Sequence, residues 1–273
     1  MHDFYAPSHR PPQDQADGLR RLFAGRRRRV LALAANPHVA FSGLVLDRLA
    51  AVLAAPAPGF GCQVLVVDAA AASPPPHELA SLDLAACVEP IAPGVSYLAA
   101  RGLPMAYVDT RGAAGCFIDA VQQAAPQADV VLLHADGMDL VRLLKNRSTR
   151  PLLIGADHPE SIKHAYANAK LLASRNGLMT FDLLLAAAPH SPRAAGIHAS
   201  LAGCLDNFLG ALLRSSALID PASGPNDPAD GALKHLLSAQ LALEEAPLLE
   251  PQQRLLSPRA LHTTTTNRSA SLR

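Results

Sequence analysis

Short apolar runs alternate along the chain with longer stretches in which apolar positions recur every three or four residues. The runs Val30 to Ala35, Val64 to Asp68, Asp129 to His134, Pro151 to Ala156 and Phe181 to Ala188 are apolar with little alternation, which predicts strands covered on both faces. Helices are predicted over 43 to 55, 115 to 125, 137 to 145, 159 to 175 and from about Pro192 to Leu213, with a short one near His77 to Leu82. A weaker strand is predicted near Met105 to Asp109. Pro159 is pre-set for a first helical turn and Gly177 stops the same helix. The alternation predicts an α/β fold, a doubly wound, mostly parallel sheet with helices on both faces.

The same pattern divides the chain. Residues 1 to 26 read as a flexible tail carrying one short helix, with Asp14 as its N-cap and Leu19, Leu22 and Phe23 at i, i+3 and i+4. A helix this short does not hold alone in water, so it docks on the domain, docks on a partner, or stays unformed. Residues 27 to 220 form the α/β domain. Asp220 to Pro228 is rich in Pro, Gly and Asp and ends it. Residues 221 to 273 then read as a linker, an amphipathic helix with Leu233, Leu236, Leu237 and Leu241 on one side, and a disordered tail. That helix carries Glu244 and Glu245, whereas membrane-surface helices are usually basic, so docking on the domain or a partner is expected.

Composition narrows the function classes. A net charge of +1 exerts no global pull on nucleic acid, and 4% aromatic content without Trp argues against stacking platforms for single strands. The basic run Arg26 to Arg29 stands directly before the first strand and reads as a solvated approach to it. Four widely spaced cysteines, with no C-x-x-C pair, fit a reducing compartment better than disulfides or zinc. No secretory leader and no spanning helix is read from the sequence, so a cytoplasmic location with at most peripheral membrane contact is expected.

Between the first strand and first helix lies Asn36-Pro37-His38-Val39-Ala40-Phe41-Ser42-Gly43, where a glycine-rich phosphate loop would sit. Such a loop needs glycines so that amides approach the phosphates, a lysine for their charge, and a Ser or Thr for magnesium. Here one glycine is present and no lysine, and Pro37 removes an amide donor outright. Metal-ligand spacing is also missing: none of the eleven histidines forms H-x-x-x-H, H-x-H or H-E-x-x-H, and His158 and His164 read as solvated or capping. Gly-x-Ser-x-Gly is absent, so nucleophilic catalysis finds no support. At the carboxyl ends of strands, Asp68, Asp136 and Asp157 are expected to share one crevice, with His134 bonded to Asp136 or Asp157.

Val30 to Ala54 resembles, without a gap, the opening of MinD/ParA-type ATPases, whose loop reads GKGGVGKT. By that resemblance Pro37 stands where the family has its extra lysine, Ser42 where it has the phosphate lysine, and Gly43 where it has the magnesium-binding Thr or Ser. Asp68 matches the first aspartate of the family's Asp-x-Asp, while Ala70 replaces the aspartate that orients the attacking water. His134 stands where the Walker B aspartate contacts magnesium through water, and Ala187-Ala188 replaces the Asn-Arg that reads adenine. Asp157-His158-Pro159-Glu160-Ser161 with Ala165-Tyr166 resembles the Thr-Pro-Glu-Pro-Thr segment opening a helix with Asp-Ala-Tyr. A charge-assisted hydrogen bond is worth roughly 1.5–3 kcal/mol, and several are missing together. The expectation is a P-loop fold of MinD type without a working ATP site: no cofactor and no hydrolysis, the alternative being an active or weakly active ATPase that binds ATP with Mg.

Asp14-Gln15-Ala16 followed by Leu19, Arg20 and Leu22 resembles the N-terminal signature of the flagellar-number branch of that family, the FlhG/FleN regulators. The stretch from His190 to Gly210 resembles the helix that closes that branch's domain. The resemblance implies a regulator of flagellar number or placement that works through proteins such as an FlhF-like GTPase or basal-body components. Gln15, Leu19, Arg20 and Leu22 would make the partner contact, leucines anchoring and the polar pair orienting. A homodimer and recruitment to the cell pole or inner membrane surface are further implications, and the alternative active ATPase would regulate flagellar biosynthesis too.

Overall fold

The computed structural model describes residues 28–56, 59–224 and 231–243. The helix expected at 14 to 23, with Gln15, Leu19, Arg20 and Leu22, lies outside the described residues. Eight strands form one sheet: β1 (Arg29–Ala34), β2 (Val64–Asp68), β3 (Glu89–Ala92), β4 (Val95–Ala99), β5 (Val130–Ala135), β6 (Leu152–Ala156), β7 (Thr180–Ala186) and β8 (Leu212–Ile219). Their spatial order is β3-β4-β2-β5-β1-β6-β7-β8, and every neighbouring pair is parallel except β3 with β4. The helices are α1 (Ser42–Ala54), the single turn α2 (Leu103–Ala106), α3 (Gly115–Ala124), α4 (Gly137–Leu143), α5 (Pro159–Asn176), α6 (Ala194–Leu209) and α7 (Gly231–Leu241).

Alternate residues of each central strand enter two different cores, as the strand period requires. Leu65, Val67, Val131 and Leu133 face α3, α4, α5 and α6 through Phe117, Leu140, Leu172 and Leu201. Leu31, Leu33, Val64, Val66 and Leu132 face α1 and α7 through Leu46, Leu49, Leu236 and Leu237. The helix beyond the Pro-rich loop thus docks on its own domain, over β8. No helix among the described residues is long and apolar enough to cross a membrane.

Two elements depart from the sequence expectation. The strand expected at 105–109 is instead the helical turn α2 and a loop, and the chain pairs at β4. Pro93-Gly94, with Gly94 at φ 74°, folds β3 back on β4, and Pro90 blunts the outer edge of β3, all four of whose residues are exposed. The helix expected to run to Leu213 stops at Leu209, because Gly210 adopts φ 61° and receives the C-cap. The following Leu212–Ile219 is an eighth strand, paired with β7.

Candidate functional site

The loop from Ala35 to Phe41 leaves β1 at the carboxyl end of the sheet and is tied down on the α5 side. The Asn36 side chain is buried and donates to Ile154 O at 2.7 Å and Ser161 O at 2.9 Å, and it lies 3.1 Å from Ser161 Oγ. Its own oxygen accepts from the His38 amide at 3.1 Å, and its carbonyl accepts from the Val39 amide at 3.0 Å. The loop therefore closes on itself, with Pro37 contributing no amide. His158 Nε2 donates to His38 O at 2.7 Å, while Nδ1 of the same ring accepts from the Ser161 amide and caps α5.

A second anchor comes from Asn168, whose amide donates to Ala35 O at 2.9 Å. Gly137, the first residue of α4, lies so close that a Cβ there would meet the Asn168 oxygen. A glycine is what lets this amide stand between α4 and the loop. Ser161, fully buried, also accepts at Oγ from the Ala156 amide at 2.8 Å. None of Ser161, Asn168 or His158 was assigned to the site by sequence, since each acts through a distant backbone atom that only the fold brings near.

Phe41 opens α1 in the left-handed region, at φ 62° and ψ 39°, with no side-chain cap. A bulky residue seldom adopts this conformation. Its ring is 71% exposed, beside the exposed Leu44. Ser42 is half-buried, and around Gly43 a Cβ would meet nothing within 4 Å.

Beneath the loop, β2 and β5 bring Asp68 and His134 side by side in the strand register. His134 Nδ1 lies 2.7 Å from Asp68 Oδ1, so His134 pairs with Asp68 and not with Asp136 or Asp157 as expected. Ser73 Oγ donates to the same oxygen, and the Tyr97 hydroxyl donates to Oδ2 at 3.3 Å. Burial works against the Asp68 charge, but the hydrogen bonds from His134 and Ser73 outweigh it and hold this carboxyl below its ordinary range. Burial, then the Asp68 carboxylate, pushes the Tyr97 phenol well above its usual value. An ionised carboxylate only accepts, so Nδ1 carries the proton in this pair. His134 Nε2 is buried with no hydrogen-bond partner.

The other two carboxylates close loops instead of joining this pair. Asp136 accepts from the Ala71 amide at 2.8 Å, and Asp157 from Ser191 Oγ at 3.1 Å. Of the two histidines expected to be solvated or capping, His158 does cap α5, and both join a cluster: the His38 ring lies 6.4 Å from that of His158 and 5.7 Å from that of His164, both edge-on. No group of three or more His, Cys, Asp or Glu among the described residues is arranged to hold a metal.

With this geometry in hand, known proteins give a fold and no closer kinship. No family model matches the chain, and no curated protein does. Among solved structures, a putative plasmid partition protein from Borrelia burgdorferi bound to AMPPNP aligns over 78% of this chain and 97% of its own, at 7% identity and a TM-score of 0.52. Apo McdA from Cyanothece aligns over 78% and 95% at 15% identity with a TM-score of 0.49. MinD from Aquifex aeolicus aligns over 71% and 83% at 13% identity with a TM-score of 0.45. The chain shares the fold of that plasmid partition protein, a mostly parallel sheet covered by helices on both faces. At such identities the likeness is one of fold alone.

Proposed function

We propose that the protein is a non-hydrolysing, MinD-like regulatory protein that helps control flagellar number or placement through protein partners. The observation that carries the first half is the loop at 36–41, whose amides at His38 and Val39 are spent on Asn36 and whose position 37 has none. A triphosphate is bound by free amides, a lysine and a magnesium held by oxygen ligands. The residues present do not fit that group: Pro37, Ser42 and Gly43 supply no cation and no magnesium hydroxyl at the matched positions, and the imidazole of His134 is committed to Asp68. Phosphoryl transfer depends almost wholly on such positioning and charge. The fold therefore acts through its surfaces.

The flagellar half is supported by the resemblance of residues 14 to 22 to the FlhG/FleN signature. Gln15, Leu19, Arg20 and Leu22 are the assigned partner contacts, toward an FlhF-like GTPase or basal-body component. Two measurements test the reading. Equilibrium titration with labelled ATP and magnesium should give no tight saturable binding and no turnover, and finding both overturns the first half. Capture of the GTPase should weaken in a Gln15→Ala, Leu19→Ala variant of unchanged thermal stability, and unchanged capture overturns the second.

A further inference from the structure

An apolar groove of about 700 Å³ runs along the outside of the molecule between α5 and α6. Ile162 and Tyr166 form one wall, Ile197 and Leu201 the other, and Cys204 lies at its edge. Lys163 and Arg193 also line it, toward the carboxyl end of the sheet. Positions 197, 201, 204 and 208 fall on one helical face. Phe208, 74% exposed, therefore continues the apolar line past the groove. Eleven residue steps of helix make that line about 17 Å long, against about 15 Å for a ten-residue helix.

We infer that residues 14 to 23 of this same chain lie as a helix in the groove between α5 and α6. The chain enters the fold on the right side for this. Arg28 donates to Gln122 O at 2.6 Å and Pro126 O at 3.0 Å, at the end of α3, which shares its face of the sheet with α5 and α6. Strand β1 begins at the amino end of the sheet, where α6 ends one residue after Phe208. Two strand spacings separate β1 from β7, about 10 Å, and four linking residues reach about 14 Å.

That path fixes the direction of the segment, and the charges then agree with it. Its first turn, with Asp14 and Asp17, comes beside Arg193 and beside Lys163, which already pairs with Glu160. Leu19, Leu22 and Phe23 supply the apolar stripe that the groove and Phe208 match. A short tether keeps such a contact at an effective concentration of about millimolar, so modest affinity suffices. The inference rests on the helix expected at 14 to 23, not on the partner assigned to it. It deepens the proposed function: Leu19 and Leu22 become available to a partner only when the segment leaves the groove.

Cys204 at the groove reports occupancy, and the exposed Cys116 on α3 is the internal reference. Full-length protein and a Leu19→Asp, Phe23→Asp variant are pulsed with N-ethylmaleimide at one pH, and the two thiols are followed separately by peptide mass spectrometry. Cys204 should react about tenfold more slowly in the unaltered chain than in the variant, as for a contact closed nine-tenths of the time, while Cys116 reacts equally. The protection should persist through roughly hundredfold dilution, since the contact is intramolecular. Equal Cys204 rates, or protection retained in the variant, overturn the inference. Protection that fades on dilution assigns the groove to a second copy and overturns it too. Nucleotide and partner are absent from the assay, so its outcome stands apart from either test of the proposed function.

Discussion

Two buried carboxylates stand at opposite ends of the sheet, and they are neutralised in different ways. Asp182, near the start of β7, accepts from Arg150 Nε at 2.6 Å, Gln240 Nε2 at 2.7 Å, and Ser215 Oγ and amide at 2.7 and 3.0 Å. Those partners come from the approach to β6, from α7 and from β8, so one side chain joins three elements. Asp68, at the end of β2, is held by His134, Ser73 and Tyr97, and its chain of contacts ends at an imidazole nitrogen with no partner. A permanent cation neutralises the first site, although Arg150 Nη2 is likewise buried without a hydrogen-bond partner. The second is held by an imidazole and two hydroxyls, at the carboxyl end of the sheet, where open α/β folds bind ligands. The first joins several elements around a permanent cation, the second pairs two neighbouring strands without one.

The sharpest way to break that contrast is to remove the locked carboxylate. Asp182→Ala should cost about 3–5 kcal/mol, because it strands a guanidinium in the interior. Urea unfolding measures the loss, and α7 should become the first element to exchange its amides, since Gln240 loses its anchor. A loss near zero would put Asp182 on the same footing as an exposed ion pair.

Asn36→Ala comes next, at about 2 kcal/mol, for it leaves the His38 amide and the carbonyls of Ile154 and Ser161 without their partner. Hydrogen exchange over 36–41 should quicken more than exchange in α5. If the loop amides stay protected, they are not held by Asn36, and the observation that carries the proposed absence of a nucleotide site fails with them.

The contrast also explains what sequence discloses and what it does not. Val64–Asp68 is legible to the residue because a continuous apolar run ends at a charge. The scarcity of glycine and lysine over residues 36–43 is legible too, because it is local to the chain. The sheet's two margins are not. β4 holds Ser96 and Tyr97 within its five residues, and β8 holds Arg214-Ser215-Ser216 at its centre, so neither shows an unbroken apolar run. Ser215 is polar because Asp182 needs it, a reason found 33 residues away. His134 likewise found Asp68 because β2 lies beside β5, an adjacency that no spacing along the chain reveals.

A smaller, pH-dependent effect belongs to Asp68. The Asp68 carboxyl is lowered in the fold relative to about 3.9 in an unfolded chain, so the unfolded state binds more protons in acid. The stability this contributes is present above the unfolded value and disappears as pH falls through the folded one. Asp68→Asn should therefore flatten the acid limb below about pH 4. A limb of unchanged slope would mean that other carboxylates set it.

The smallest effect belongs to His164, at the edge of the histidine cluster beside the same loop. Burial first, then the charge of His38, depresses its imidazole, while the Ala35 carbonyl and Asp136 act the other way. Groups bearing on the cluster also include His158, which bonds the His38 carbonyl, and the exposed Glu160–Lys163 pair. A histidine depressed in the fold binds its proton more readily when unfolded, so its contribution is full above about pH 6.5 and is lost as pH falls through the folded value. His164→Asn should flatten stability between neutral pH and that lower value, leaving the limb below pH 4 to Asp68. Loosening of 36–41 in this window should track the titration of His164. Exchange of the loop amides that stayed level from pH 7.5 to 5.5, a range that brackets the imidazole, would show that the ring contacts carry no charge coupling.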